Sequence, residues 1–248
     1  MFDINNLDKI IENSKFKAKI KYFLNKHNLN IVDLKKLIFS LKIYLDYDEV
    51  LVNLNEEWIK YYNLKNNTNY SIDDIDKFYW WDDKDNGLDF LLKNNDCYKN
   101  VSIKKDVNKF FDIAKNNNIL NNMRIVTFSY PNNLLSKYNH IKKNFPWFDE
   151  KDIHITGQKW ELDFNHSIII EDSASHSVKI VRKNPFAYVL LLNMKYNEDL
   201  VVGNRIKRIN SILELFDYLP LLALENYNRH NDIKKKYLYK EILDNRIN

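Results

Sequence analysis

This chain is poor in the residues that staple or ligate. Cysteine occurs once, at Cys97, so no internal disulfide can form and no cysteine-based zinc cluster has its ligands, a usage that fits a reducing compartment. The histidines, His27, His140, His154, His166, His176 and His230, show none of the close spacings of a metal-ligand set, which argues against a zinc enzyme. There are only three glycines beside abundant Asn, Lys and Ile. That bias is the imprint of AT-rich coding and speaks to the genome rather than to the chemistry. No apolar run approaches the roughly 20 residues that span a bilayer. The opening MFDINNLDKIIENSK is too polar and acidic for a secretory signal. A soluble, intracellular, cytoplasmic protein without a membrane partner is expected.

What is present is enough chain for one sizeable domain with an accessory piece, 248 residues with a net charge of +4. The mild positive balance suits phosphorylated ligands but falls short of a nucleic-acid-binding signature. Residues 1–40 place Ile10, Ile11, Phe16 and Ile20, then Ile31, Leu34, Leu37 and Ile38, at helical spacing and read as a helical N-terminal extension. Short apolar runs follow at 43–45, 124–128, 152–156, 167–171 and 187–193, with 205–209 as a sixth candidate. They suit buried parallel strands better than alternating ones. Helical stripes lie between them, Val107, Phe110, Phe111 and Ala114 in one, Leu134, Tyr138 and Ile141 in another. Strands alternating with helices predict an α/β fold, a Rossmann-like parallel sheet with helices on both faces. Its core is placed at 41–54 and 101–219. An aromatic-rich insert at 55–100 reads as a small helical cap, with a helix start at Ser71. A helical tail occupies 220–248, and Ser211 with Glu214 forms an S-x-x-E capping box ahead of Leu215. The last segment, DIKKKYLYKEILDNRI, reads as a charged surface helix.

In such a sheet ligands bind at the carboxyl ends of the strands. The first run ends in Asp46 and Asp48, the second in Thr127, the fourth in Glu171 and Asp172. Lys137 lies in the helix after the second strand and Lys159 in the loop after the third. Carboxylates in number call for a cation, and a phosphate calls for positive charge with hydrogen-bond donors. Phosphoryl transfer through a covalent intermediate uses this set. A carboxylate attacking a phosphate dianion needs Mg2+ to cancel the repulsion, and a second carboxylate two residues on can protonate the leaving oxygen and then deprotonate a water. Alone, each signal is weak: an Asp after a strand is more often a helix cap, and a lysine is more often a surface residue.

Their order is what carries a likeness. LDYDEVL, IVTFS, SKYNHIKKNF and ITGQKWELDFNHSIIIEDS resemble the four motifs of the haloacid dehalogenase superfamily of phosphatases, over roughly residues 42–219. Within it, the Y-N of EEWIKYYNLKNN, the Gln158-Lys159 pair and the aromatic insert resemble the 5'(3')-deoxyribonucleotidases. The resemblance implies Asp46 as nucleophile and Asp48 as general acid/base, the latter's carbonyl also a metal ligand. It implies Asp172 as a second carboxylate on Mg2+, with Glu171 holding a metal-bound water. Thr127 becomes a phosphoryl-binding hydroxyl, and either Lys137 or Lys159 the phosphate-stabilising lysine. Three departures stand out: Glu49 where relatives often carry Gly, Phe128 where the nucleotidases have Ser, and Glu171 for the more usual Asp.

In the insert, Phe78, Trp80 and Trp81 offer a stacking platform for a base, although aromatic residues at helical spacing also pack a cap onto a core. The reading is a Mg2+-dependent phosphomonoesterase of (deoxy)nucleoside monophosphates with a small phosphorylated substrate. Nucleic acid is a less favoured partner, through a 3'-phosphatase acting on strand ends. A non-catalytic nucleotide- or partner-binding protein on the same fold is the alternative from another class. Glu49 has no assigned role.

Overall fold

The computed structural model describes residues 2–247 apart from residue 83, with side chains described as far as residue 232. Six short segments make one parallel sheet: Lys42–Leu45 (β1), Met123–Thr127 (β2), Ile153–Ile155 (β3), Ser167–Glu171 (β4), Tyr188–Leu192 (β5) and Ile206–Ile209 (β6), ordered β3-β2-β1-β4-β5-β6. The α/β expectation therefore holds, including the sixth strand. Period-two alternation sends Ile43, Leu45, Ile168, Ile170 and Leu190 into one buried cluster and Tyr44, Ile169, Val189 and Leu191 into another on the opposite face. Both faces are covered, which is why these strands are uninterrupted apolar runs. Each such side chain, fully buried, contributes about 1.5–3 kcal/mol relative to exposure.

Helices Val107–Asn116 (α6), Leu134–Asn144 (α7) and Leu215–Ile247 (α9) share the first face with Leu7–Asn13 (α1), Lys17–His27 (α2) and Ile31–Ser40 (α3), while Ala174–Lys183 (α8) covers the second. α9 begins inside the expected core and runs through residue 220, so no boundary falls there, and α2 and α3 pack along it. The two terminal pieces are thus one helical layer built on the sheet, pinned by Ile20, Phe23, Leu34 and Ile38. The charged helix expected at the very end has its side chains outside the described residues. The expected capping box is shifted. Ser211 Oγ accepts from Leu213 N at 3.2 Å and Glu214 accepts from Asn210 N at 2.7 Å, so a 3-10 turn over Ile212–Glu214 precedes α9.

The sequence stripe on α7 is also partly wrong. Ile141 is buried as expected, but Leu134 is exposed, and the helix buries Lys137 and His140 beside Ile141. That inward face is polar because it meets the site described below.

The insert leaves and rejoins the core through a short two-stranded neck. Asn53 N donates to Ser102 O (2.9 Å), Lys104 N donates to Leu51 O (3.0 Å), and Val52 pairs antiparallel with Ile103. It is less helical than its composition suggests, with one long helix, Leu54–Asn66 (α4), and a short one, Asp89–Lys93 (α5). Ser71 starts only a 3-10 turn, Ile72–Asp74, and the KFYWW stretch runs through turns. Trp58 organises this region: it stacks on Trp81 at 4.1 Å and donates through Nε1 to Gly87 O at 2.7 Å. A Cβ on Gly87 would lie 2.4 Å from Trp81 O, so the turn can close only with glycine.

With so few glycines, backbone that needs positive φ falls to other residues: Asn28, Asn67, Asn86 and Asn118, together with His166 and Glu49. Asparagine tolerates this region best. Glu49, at φ 56°, is the unusual occupant.

Candidate active site

Register builds the centre. Leu45 is paired with Ile170, and Asp46 N donates to Ile170 O at 3.0 Å, so the first residue beyond β1 lies beside the end of β4, where Glu171 and Asp172 follow. Asp46, Glu171 and Asp172 are all buried, with one carboxylate oxygen from each within 4.8 Å of the others. Lys159, from the loop after β3, reaches into the cluster. It pairs with Asp46 Oδ2 and lies 2.7 Å from Glu171 Oε2, itself 3 % exposed.

Burial works against the charge on Lys159, but Asp46, Glu171 and Asp172 outweigh it and hold the ammonium well above its ordinary range. Burial likewise raises carboxyl pKa values. At Asp46 the Lys159 ammonium overcomes it and keeps that group below its usual value. Glu171 is pushed up to about 7 by burial and then by Asp46. Asp172 is held well above its ordinary range by burial, Glu171 and Asp46.

With all three carboxyls ionised, one ammonium leaves two negative charges, the deficit a divalent cation cancels. Glu171 Oε2, although close to Lys159, receives no properly directed hydrogen bond and keeps a lone pair open. The donors are all hard oxygens, so the residues present fit Mg2+ rather than zinc. Asp46 and Asp172 would hold it directly, with Glu171 beside them.

The remaining anticipated residues separate into two groups. Asp48 faces the same cavity, but Thr127 and Lys137 do not line it. Lys137, 1 % exposed, donates to Asp48 Oδ2 (2.5 Å), to Thr127 Oγ1 (2.9 Å) and to the Phe128 carbonyl. Thr127 is fully buried behind it. Of the two candidate lysines, Lys159 therefore lies on the cavity and Lys137 holds Asp48 from below. Beneath them Tyr47 OH donates to His140 Nδ1 (2.5 Å), and His140 Nε2 donates to Val101 O (3.0 Å), tying the loop after β1 to α7 and to the insert. Burial keeps His140 below its ordinary pKa, in keeping with the neutral ring this pattern requires.

The cavity measures about 240 Å³. Asp46, Asp48, Lys159 and Asp172 line it together with Phe78, Trp81, Trp160 and Tyr196. Trp80 is absent from this wall. It is buried against Trp58 and Tyr62 as insert core, whereas its neighbour Trp81 faces the cavity and Phe78 meets Tyr196 and His176 across it.

Several participants carry no signal of their own in the sequence. Tyr196 OH donates to Asp172 Oδ2 (2.5 Å) and Asn197 Nδ2 to Asp172 O (2.7 Å). Both follow the end of β5, a strand end not collected from the sequence, and that position is the signal that could have found them. His176, in the first turn of α8, places Nδ1 3.6 Å from Glu171 Oε1, and burial, then Lys159, depresses its pKa to about 4.

Glu49 also gains a role. Its Oε1 accepts from Asn55 N at 2.7 Å, at the start of α4 where Asn53 offers no side-chain cap, and Lys104 Nζ lies 3.4 Å from its Oε2. Glu49 clips the two sides of the neck together, although burial raises its pKa.

No protein-family model matches the chain, and no curated protein does. Among solved structures, one described as a HAD hydrolase, family IA, variant 3, from Entamoeba histolytica HM-1:IMSS is similar at 15% sequence identity, covering 73% of this chain and 99% of that one with a TM-score of 0.44. Fold and site together describe an α/β protein with a lysine-bridged carboxylate centre at the carboxyl edge of its sheet. No helix among the described residues is long and apolar enough to cross a membrane.

Proposed function

We propose that this protein is a Mg2+-dependent phosphomonoesterase of the haloacid dehalogenase type, acting on nucleoside monophosphates, with deoxyribonucleotides the expected class. The observation that supports it is the convergence of Asp46, Glu171 and Asp172 around Lys159 beneath an aromatic cavity.

Bound Mg2+ would cancel the repulsion between a carboxylate and a phosphate dianion. Asp46 attacks phosphorus, the ester P–O bond breaks, and Asp48 gives a proton to the leaving oxygen. A water then attacks the aspartyl phosphate, returns a proton to Asp48, and frees phosphate and Asp46. Lys159, charged and adjacent to Asp46, can neutralise phosphoryl oxygens as negative charge develops there. The aromatic roof limits water access.

A cavity of about 240 Å³ under the insert suits a small ester better than the end of a strand. The test is phosphate release from deoxy- and ribonucleoside 5'- and 3'-monophosphates, oligonucleotide 3'-phosphates and sugar phosphates, with Mg2+ or with a chelator. Fastest Mg2+-dependent release from mononucleotides is expected. Preference for oligonucleotide ends, with strong salt dependence, would move the assignment to end-processing. Inert behaviour toward every ester would end the enzymatic reading.

The raised carboxyls add a pH dependence. Below their pKa values Glu171 and Asp172 hold protons that a cation must displace, so apparent Mg2+ affinity should strengthen from about pH 5 to about pH 8, through the region where Glu171 titrates. An affinity that is flat over this range in a calorimetric titration would contradict the carboxylate site.

The two neighbouring tryptophans should separate. Trp81→Ala is expected to raise KM for nucleotides several-fold, and to lose some stability with its stack on Trp58. Trp80→Ala should chiefly lower stability, by about 3 kcal/mol through lost packing. Steady-state kinetics beside urea unfolding distinguishes them, and identical behaviour of the two variants would refute the assignment.

A further inference from the structure

Asp48 is held on both oxygens. Lys137 Nζ takes Oδ2 at 2.5 Å, and Tyr98 OH donates to Oδ1 at 2.8 Å. Tyr98 comes from a different part of the chain, the returning end of the insert just before the neck. It is 2 % exposed and does not line the cavity. Its ring packs against both Tyr47 and His140, with Lys137 Nζ 5.1 Å from the ring centroid, and its backbone N donates to Ser136 Oγ of α7 at 3.4 Å. Everything but the hydroxyl is thus fixed by packing, and the hydroxyl's hydrogen bond is made to Asp48.

We propose that Tyr98 is a positioning residue for the acid/base step, aiming Asp48 at the leaving oxygen and linking the insert's seating to that aim. The inference rests on the assignment of Asp48 above. A buried tyrosine hydroxyl needs a partner, but this one has been given the cavity carboxylate that must point at the leaving oxygen. Lys137 alone leaves Asp48 free to turn about a single contact. The second contact, from another element, sets the carboxylate plane, and a small misplacement of a catalytic group is costly in rate.

Tyr98→Phe keeps the ring and removes only the hydroxyl. The readout is dependence on the leaving group, since p-nitrophenolate departs without a proton whereas a nucleoside or simple alkoxide does not. The variant is expected to lose about 10-fold in kcat/KM on a nucleoside monophosphate or alkyl phosphate, and to remain within about twofold of wild type on p-nitrophenyl phosphate. Its retained activity on the latter also reports an intact fold. Equal losses on both substrates, or no loss on either, would overturn the proposal. Asp48→Asn, run alongside, should show the same selectivity more strongly. If Asp48→Asn discriminates and Tyr98→Phe does not, Tyr98 alone is misassigned. If Asp48→Asn treats both substrates alike, the acid/base assignment itself fails and the role of Tyr98 falls with it.

Discussion

Asp46→Asn is expected to lower phosphate release by at least about 10³-fold, because an amide oxygen cannot displace an alkoxide from phosphorus and no second carboxylate shares its place. Asp46 leads out of β1, accepts from Tyr47 N at 2.7 Å through Oδ1 and is paired with Lys159 through Oδ2, so the carboxylate is oriented on both oxygens at the end of a fixed strand. Glu171 and Asp172 cannot substitute, being raised in pKa and displaced toward β4 and Tyr196. The fold should survive. Asparagine preserves shape, Lys159 retains Glu171, and removing one of three crowded carboxylates relieves repulsion. Kinetics with near-native thermal unfolding is the expected result. Activity within tenfold of wild type would remove Asp46 from the mechanism.

Lys159→Met should affect both stability and turnover. Lys159 lies 2.7 Å from Glu171, which is fully buried, and it is the positive charge within the carboxylate group. Removing one partner of a buried pair typically costs 3–5 kcal/mol because the other charge is left uncompensated. Here two partners and a nearby third carboxylate are left, so a loss of about 3 kcal/mol is expected at neutral pH without divalent cation. Acidification should reduce the deficit, because protonated carboxyls no longer repel, and Mg2+ should recover part of it by supplying the missing charge. Turnover should fall by at least about 100-fold even at saturating Mg2+, for want of the lysine's charge at the phosphoryl group. Chemical denaturation across pH with and without Mg2+ reads the first effect. A variant as stable as wild type in chelator, at every pH, would show that Lys159 does not balance the cluster.

The sheet was legible because buried parallel strands leave a crude mark, a few β-branched residues in a row such as SIIIE, bounded by polar loops. The clustered carboxylates were legible for a related reason: a strand end is fixed once the strand is found, and Asp46 and Asp172 follow directly. What lay hidden depends on contacts between distant segments. Lys137 appears as one of several charged residues on a surface helix, and only the burial of its face reveals the bond to Asp48. Trp80 and Trp81 are adjacent in sequence, and a turn, unlike a strand or helix, has no period that tells which one faces the cavity. Tyr98 and Tyr196 are ordinary tyrosines until the insert and β5 bring them to Asp48 and Asp172. Glu49 looked like surplus charge because its work, capping α4 while holding positive φ, is conformational.

The proposed covalent step is open to direct observation. Wild-type protein mixed with Mg2+ and a nucleoside monophosphate, acid-quenched within the first turnover and digested, should yield a peptide containing Asp46 heavier by one phosphoryl group, and Asp46→Asn should yield none. Phosphate released by the wild type with no phosphoryl group on that peptide, or with the group on another residue, would contradict the account.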